Sequence, residues 1–220
     1  GKHIDTKSSE RLETECIFNG GKLRRYRCPQ CGCIIGPCKM LDLSEEELGN
    51  EYITHYSAYD EGNTIDAEIR TFYSLAPTKD KKYLNYGAGA WNRTIEKLRE
   101  DGYDVYGYEP YAESKSDYII RDYSELEKMK FDGIFSHDLL EHLRYPMETF
   151  DIFKNLLNPH GKMAHATACY EYLYEYTRFH LIFYTGESIN YLCKKYGMKI
   201  VEKQIDSENL FINYVYEMEE

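Results

Sequence analysis

The chain has 220 residues, 42% of them hydrophobic, and a formal net charge of −11. That is enough for one full α/β domain and a small appendage. The acidic balance argues against a nucleic-acid groove or docking on acidic membranes, since both need a basic footprint, and no apolar run reaches the length of a membrane span.

The first 58 residues form a cysteine-rich segment. Cys16, Cys28, Cys31, Cys33 and Cys38 precede residue 40, in a chain with seven cysteines and no visible secretory leader. This usage fits a reducing, cytoplasmic setting. Cys28-Pro29-Gln30-Cys31 followed by Gly32 is a knuckle that aims two thiolates at one point. A closed zinc site needs four ligands, which Cys16, Cys28, Cys31 and Cys38 supply, with Cys33 as a substitute. Free thiols in a small β-hairpin cap fit the same residues, and both readings stand at this point. Short strands and turns are expected up to residue 40. Ser44 then caps a short helix that begins with the acidic, solvated run Glu45-Glu46-Glu47.

The second segment, 59–220, alternates helices and strands. Ile65, Ile69, Phe72 and Leu75 share a helical face over 64–76, with Thr64 as cap and Pro77 beyond the end. Strand 83–86 runs into Gly87-Ala88-Gly89, and a helix over 92–100 buries Ile95 and Leu98. Strand 104–108 ends on Glu109, and strand 117–120 precedes Asp122. Strand 131–136 leads to a helix over 146–157, closed by the turn Asn158-Pro159-His160-Gly161. Strand 162–167 follows, then a helix over 186–196 with Thr185 as cap and Gly197 at its C-terminus. Cys193 falls on that helix's apolar face, a core position. Strands 198–204 and 211–216 complete seven. The expected fold is a Rossmann-like, mostly parallel seven-stranded sheet with helices on both faces.

The chemistry concentrates in YLNYGAGAWNRTIEKLREDGYDVYGYE (83–109), a strand, glycine turn, helix and strand ending on an acid about 20 residues later. Glycine allows close backbone approach, the helix N-terminus presents N–H groups, and a strand-end acid accepts from ribose hydroxyls. A dinucleotide fingerprint would need a third glycine where Asn92 stands. The turn and acid instead resemble motifs I and II of class I S-adenosylmethionine-dependent methyltransferases of the small-molecule type. The segments FDGIFSHDLLEHLRYPMETFDIFKNLLNPHGKM (131–163) and RFHLIFYTGESINYLCKKYGMKIVEKQI (178–205) resemble later parts of that family.

The resemblance implies a methyltransferase that binds S-adenosylmethionine, releases S-adenosylhomocysteine and acts on a small molecule, without nucleic-acid or membrane partners. A sugar or natural-product intermediate is one expected acceptor class. The implied cofactor residues are Asn85, Gly87, Ala88, Gly89, Glu109, Pro110, Asp122, Tyr123, Ser136 and His137. Asn85 stands where relatives often carry an acid, so it brings no charge to the cofactor's ammonium. Asp122 either takes the adenine amino group or caps the next helix. His180 and then His142 are the candidate bases, because imidazole titrates near neutrality. Glu141 orients a neighbouring histidine or binds substrate. His165, inside a strand, reads as structural. Tyr170, Tyr172, Tyr174 and Tyr176 suggest an aromatic substrate pocket, although composition bias accounts equally well for 23 tyrosines. The alternative function is a non-catalytic module of the same fold that binds the cofactor.

Overall fold

The computed structural model describes residues 5–219 except 18–19, 59–63, 90–92, 112–115, 172–175 and 207–210. The N-terminal part contains β1 (Glu10–Glu15), β2 (Lys22–Arg27), β3 (Ile34–Ile35), α1 (Cys38–Leu41) and α2 (Glu45–Ala58). Then come α3 (Ile65–Tyr73), β4 (Lys82–Tyr86), α4 (Arg93–Glu100), β5 (Asp104–Tyr108), β6 (Ile119–Ile120) and α5 (Tyr123–Leu126). Next are β7 (Phe131–His137), a single 3-10 turn (Leu140–His142), α6 (Pro146–Leu156) and β8 (Leu157–Thr167). The chain ends with β9 (Ile182–Phe183), α7 (Ser188–Tyr196), β10 (Met198–Asp206) and β11 (Phe211–Met218). No described helix is long and apolar enough to cross a membrane.

The main sheet runs β10-β11-β8-β7-β4-β5-β6, as expected of a Rossmann-like seven-stranded architecture. β4 pairs in parallel with both β5 and β7, and β8 pairs in parallel with β7. Only β11 breaks the pattern, running antiparallel to β8 and β10. The chain moves outward from β4 to β6, then returns to lay β7 on β4's other side. That reversal opens a crevice at the carboxyl ends of β4 and β7, where open α/β sheets bind ligands.

Apolar faces explain the layers. Phe72 and Leu75 of α3 and its exit, with Ile95 and Leu98 of α4, pack on Tyr83, Val105 and Phe135. Phe150, Phe153 and Leu156 of α6, with Ile189, Leu192 and Tyr196 of α7, belong to the core of the other face. Gly107 keeps α4 close to the sheet: a Cβ there would lie 2.5 Å from both Ile95 and Ile119.

The N-terminal hairpin is completed by the rest of the chain. β1-β2-β3-β9 form a second sheet, with β9 contributed from beyond β8. Arg25 is 1% exposed and ties the two parts together. Its guanidinium donates to Gly36 O at 3.1 Å, Thr177 O at 2.6 Å and His180 O at 3.1 Å, and lies over the Phe183 ring.

Several local expectations shift. Ser44 and Glu47 form a reciprocal capping box, but the helix they start runs to Ala58 rather than staying short. Thr64 makes no cap bond; its hydroxyl donates to Glu68 Oε1 at 2.8 Å. Thr185 donates instead to Gly32 O at 2.6 Å, pinning α7's approach to the knuckle. The turn after α6 is absorbed into β8 as an irregularity, with His160 at φ 63° and a register shift against β7. Gly197 does end α7 in the left-handed conformation, at φ 63°.

Candidate active site at the carboxyl edge of the sheet

The glycine turn lies directly off β4. Gly87 and Gly89 have φ of 76° and 65°, which side chains rarely adopt. A Cβ on Gly87 would also meet Leu139 Cδ1 at 2.7 Å, so the turn abuts the segment after β7. Gly87 N and Ala88 N both donate to Tyr108 O. Glu109 closes the turn from the end of β5: Gly89 N donates to its Oε2 at 3.1 Å and Tyr111 N to its Oε1 at 3.0 Å. Each carboxylate oxygen keeps further lone pairs for hydroxyl donors.

Asn85 is buried, and its Nδ2 donates to Glu68 Oε2 at 3.2 Å. The charge missing at Asn85 is thus present on the neighbouring helix. Burial raises the Glu68 pKa, while hydrogen bonds from Thr64 and Asn85 oppose the rise. The sequence reading missed this acid, although Glu68 lies three residues after Ile65 and four before Phe72, on α3's inward face. A carboxylate on an apolar helical face was the available signal.

Asp122 caps α5, accepting from Ser124 N at 2.8 Å, and is exposed, as are Tyr123 and Tyr111. Pro110 is partly buried beside Glu109. Two expected cofactor residues point elsewhere. Ser136 is fully buried, with Oγ 2.8 Å from His165 Nδ1, so its side chain is committed to the core. His137 stacks on Phe211 at 4.4 Å, with Nδ1 3.5 Å from Thr71 Oγ1, so its ring packs against α3 and β11. His165 is structural as expected: burial pushes its pKa down to about 3. Tyr170 is no pocket residue either. It is fully buried, its hydroxyl 2.8 Å from that of Tyr216. Tyr176 is exposed, while Tyr172, Tyr174 and Asn92 lie outside the described residues.

Immediately after β7 the fold gathers Asp138, Glu141, His142 and His180, with one ligand atom from each lying within 4.8 Å of the others. Asp138 has φ 56°, and its N–H donates to Ala166 O. The 3-10 turn carries Glu141 and His142 inward, and Leu181 N donates to Glu141 O at 2.7 Å. His142 Nδ1 lies 3.1 Å from Phe179 O, and its Nε2 is 3.8 Å from Asp138 Oδ1. His180 Nδ1 is 3.5 Å from Cys169 Sγ, and the two imidazoles meet edge to face at 5.2 Å. The sequence pointed to three of these four. Asp138 was missed, although it precedes His142 by four residues at a strand end.

The cluster perturbs its own members. Burial, then the charge of Asp138, pushes the Glu141 carboxyl up to about 8. Burial lowers His142, but the hydrogen bond and charge of Asp138, with Glu141's charge, outweigh it and raise the ring to about 9. Surrounding protein disfavours the Asp138 carboxylate, yet His142 and His180 hold its pKa well below the usual range. Perturbed groups at a crevice are a mark of functional sites.

The cysteines behave differently. Among the described residues, no three cysteine sulfurs come within the 4.8 Å that defines the acid–histidine cluster. Cys28 and Cys31 interact, and hydrogen bonding chiefly from the Cys31 backbone lowers Cys28. Cys16 lies against Gly20, while Cys38 lines a separate cleft with Glu13, Arg24 and Tyr26. The hairpin register separates them, so the expected four-thiolate zinc set is not assembled. None of the seven cysteines forms a disulfide.

Comparison with known proteins agrees with this architecture. The methyltransferase domain family matches the chain over residues 62–203. The chain is similar to the Burkholderia thailandensis 1,6-didemethyltoxoflavin-N1-methyltransferase, solved with 1,6-didemethyltoxoflavin and S-adenosylhomocysteine. The identity is 12%, coverage is 99% of each chain and the TM-score is 0.63. It is also similar to the Synechocystis magnesium protoporphyrin IX methyltransferase with bound S-adenosylhomocysteine, at 13% identity and TM-score 0.53. That match covers 77% of this chain and 94% of the other. At such identities the likeness concerns the fold. No curated protein matches the chain closely enough to count as a relative.

Proposed function

We propose that this chain, which belongs to the class I S-adenosylmethionine-dependent methyltransferase family, transfers the methyl group to a small-molecule acceptor, a sugar or natural-product intermediate being the leading class. The supporting observation is a shared edge: the glycine turn with its strand-end acid adjoins, through Leu139, a cluster of two carboxylates and two imidazoles. The acidic chain disfavours a nucleic-acid acceptor. The 1,6-didemethyltoxoflavin-N1-methyltransferase and magnesium protoporphyrin IX methyltransferase of similar fold are named for small-molecule acceptors.

The residues present fit the cofactor. Glu109 has lone pairs left for ribose hydroxyls, and Gly87, Ala88 and Gly89 supply close backbone. Glu68, beside Asn85, offers the negative charge for the methionine ammonium. Asp122 has its second carboxylate oxygen for the adenine amino group, with Pro110 and Tyr123 alongside. When bound, the cofactor supplies an electrophilic methyl on a positively charged sulfur. The chain's remaining work is alignment of the acceptor and acceptance of its proton. Asp138, Glu141, His142 and His180 line the place where that acceptor would be aligned, with Asp138 exposed at the rim and Glu141 enclosed below it. Cysteines without disulfides suit a cytoplasmic setting.

Incubation with S-adenosylmethionine and pools of small hydroxylated and amine metabolites, read by S-adenosylhomocysteine formation, tests the proposal. Turnover is expected with a small acceptor. Transfer confined to protein or RNA overturns the acceptor class.

A further inference from the structure

We propose that Asp138, Glu141, His142 and His180 bind one divalent first-row transition-metal cation, placed to hold an oxygen of the acceptor. The first argument is assembly. Two carboxylates and two imidazoles from two stretches of chain far apart in sequence, 138–142 and His180, bring their ligand atoms within 4.8 Å of one another, a donor set that suits a single ion.

The second argument is independent of the first. Glu141 is 0% exposed, and its two oxygens differ. Oε1 accepts from Ala168 N at 3.3 Å, whereas the buried Oε2 has no hydrogen bond. Leaving a buried acceptor unpaired is costly, and natural cores avoid it. A cation among the four side chains gives that oxygen its partner.

The third argument is orientation. Metal-binding imidazoles commonly use their second nitrogen on a carbonyl or carboxylate, which fixes the ring and its tautomer. His142 does this: Nδ1 donates to Phe179 O, leaving Nε2 turned toward Asp138. The His180 segment is held from behind, its carbonyl accepting from the buried Arg25 guanidinium. Arg25 thus braces the site from the N-terminal hairpin.

The donor set defines the ion. Two imidazoles with two carboxylates suit Mn²⁺, Fe²⁺, Co²⁺ or Zn²⁺, whereas Mg²⁺ and Ca²⁺ prefer oxygen alone. Two carboxylates balance the charge. The exposed Asp138 side leaves room for an oxygen ligand from solvent or acceptor. The acceptor's part in this inference rests on the methyl-transfer reading; cation binding does not.

The test titrates the metal-stripped 220-residue chain with MnCl₂, following free Mn²⁺ by electron paramagnetic resonance. S-adenosylhomocysteine binding is measured by calorimetry on the same preparations. One Mn²⁺ per chain is expected, with MgCl₂ at least about tenfold weaker. Glu141→Gln and the rim substitution Asp138→Asn should each weaken Mn²⁺ by at least about tenfold while retaining S-adenosylhomocysteine. Wild-type protein that binds S-adenosylhomocysteine but takes up no Mn²⁺ overturns the inference, as does unchanged uptake in both variants. Mn²⁺ uptake without S-adenosylhomocysteine binding supports the cation site and removes the cofactor reading instead.

Discussion

The two halves of the sheet's carboxyl edge are built on opposite terms. On the β4–β6 side, carboxylates meet backbone N–H groups: Glu109 takes Gly89 and Tyr111, and Asp122 takes Ser124. On the β7–β9 side, ionisable side chains meet one another, around a buried Glu141 with an unpaired oxygen. The first half is held by hydrogen bonds to backbone N–H groups at the strand ends. The second exists only after β7, the 3-10 turn and the 177–183 segment have packed together. On the proposed reading, binding and chemistry divide along β4 and β7, and each half should fail differently when altered.

The sharpest separation comes from His180→Ala. On the proposed reading it keeps S-adenosylhomocysteine affinity, since its place is on the far half, but loses turnover by about 10²–10⁴-fold. Near-normal turnover across pH 6–9 would remove His180 from the chemistry.

Arg25→Leu probes what holds the β7–β9 half in place. It orphans the carbonyls of Gly36, Thr177 and His180, and should cost on the order of 3–5 kcal/mol in urea unfolding. A loss under about 1 kcal/mol would mean that the hairpin does not anchor the site.

Glu109→Ala strikes the other half. Loss of a charge-assisted bond should weaken S-adenosylhomocysteine by about ten- to a hundredfold in calorimetry. Unchanged binding would show that the turn works without the acid.

The effect smallest per unit of perturbation concerns the core beneath both halves. Burial pushes the His165 ring down to about 3 in the folded protein, from an ordinary 6.5. Between those values the unfolded chain takes up a proton that the folded chain cannot. Stability should therefore fall as pH drops from 6.5, by up to about 1.4 kcal/mol per unit. His165→Phe should have a shallower slope in pH-dependent urea unfolding; an identical slope would contradict a neutral buried ring.

The same division governed what the sequence disclosed. The turn at Gly87, the acid at Glu109 and the alternation of strands and helices are consecutive features, and local spacing carries them. Asp138 and Glu68 escaped because their roles come from neighbours outside their own elements: Asn85 across the sheet for one, His142 and His180 for the other. Thr64 and Thr185 read as caps, but tertiary packing offered their hydroxyls Glu68 and Gly32. Ser136 and His137 occupy a strand end beside the crevice, yet the Ser136 hydroxyl meets His165 and the His137 ring stacks on Phe211. The cysteine pattern suggested one metal centre, whereas the hairpin register spreads Cys16 and Cys38 away from the knuckle.

The most direct measurement is a calorimetric titration of the wild-type chain with S-adenosylhomocysteine and, separately, with NADH. The account predicts one S-adenosylhomocysteine per chain and no NADH binding, because the turn lacks the third glycine of a pyrophosphate cradle. Binding of NADH with none of S-adenosylhomocysteine would contradict it.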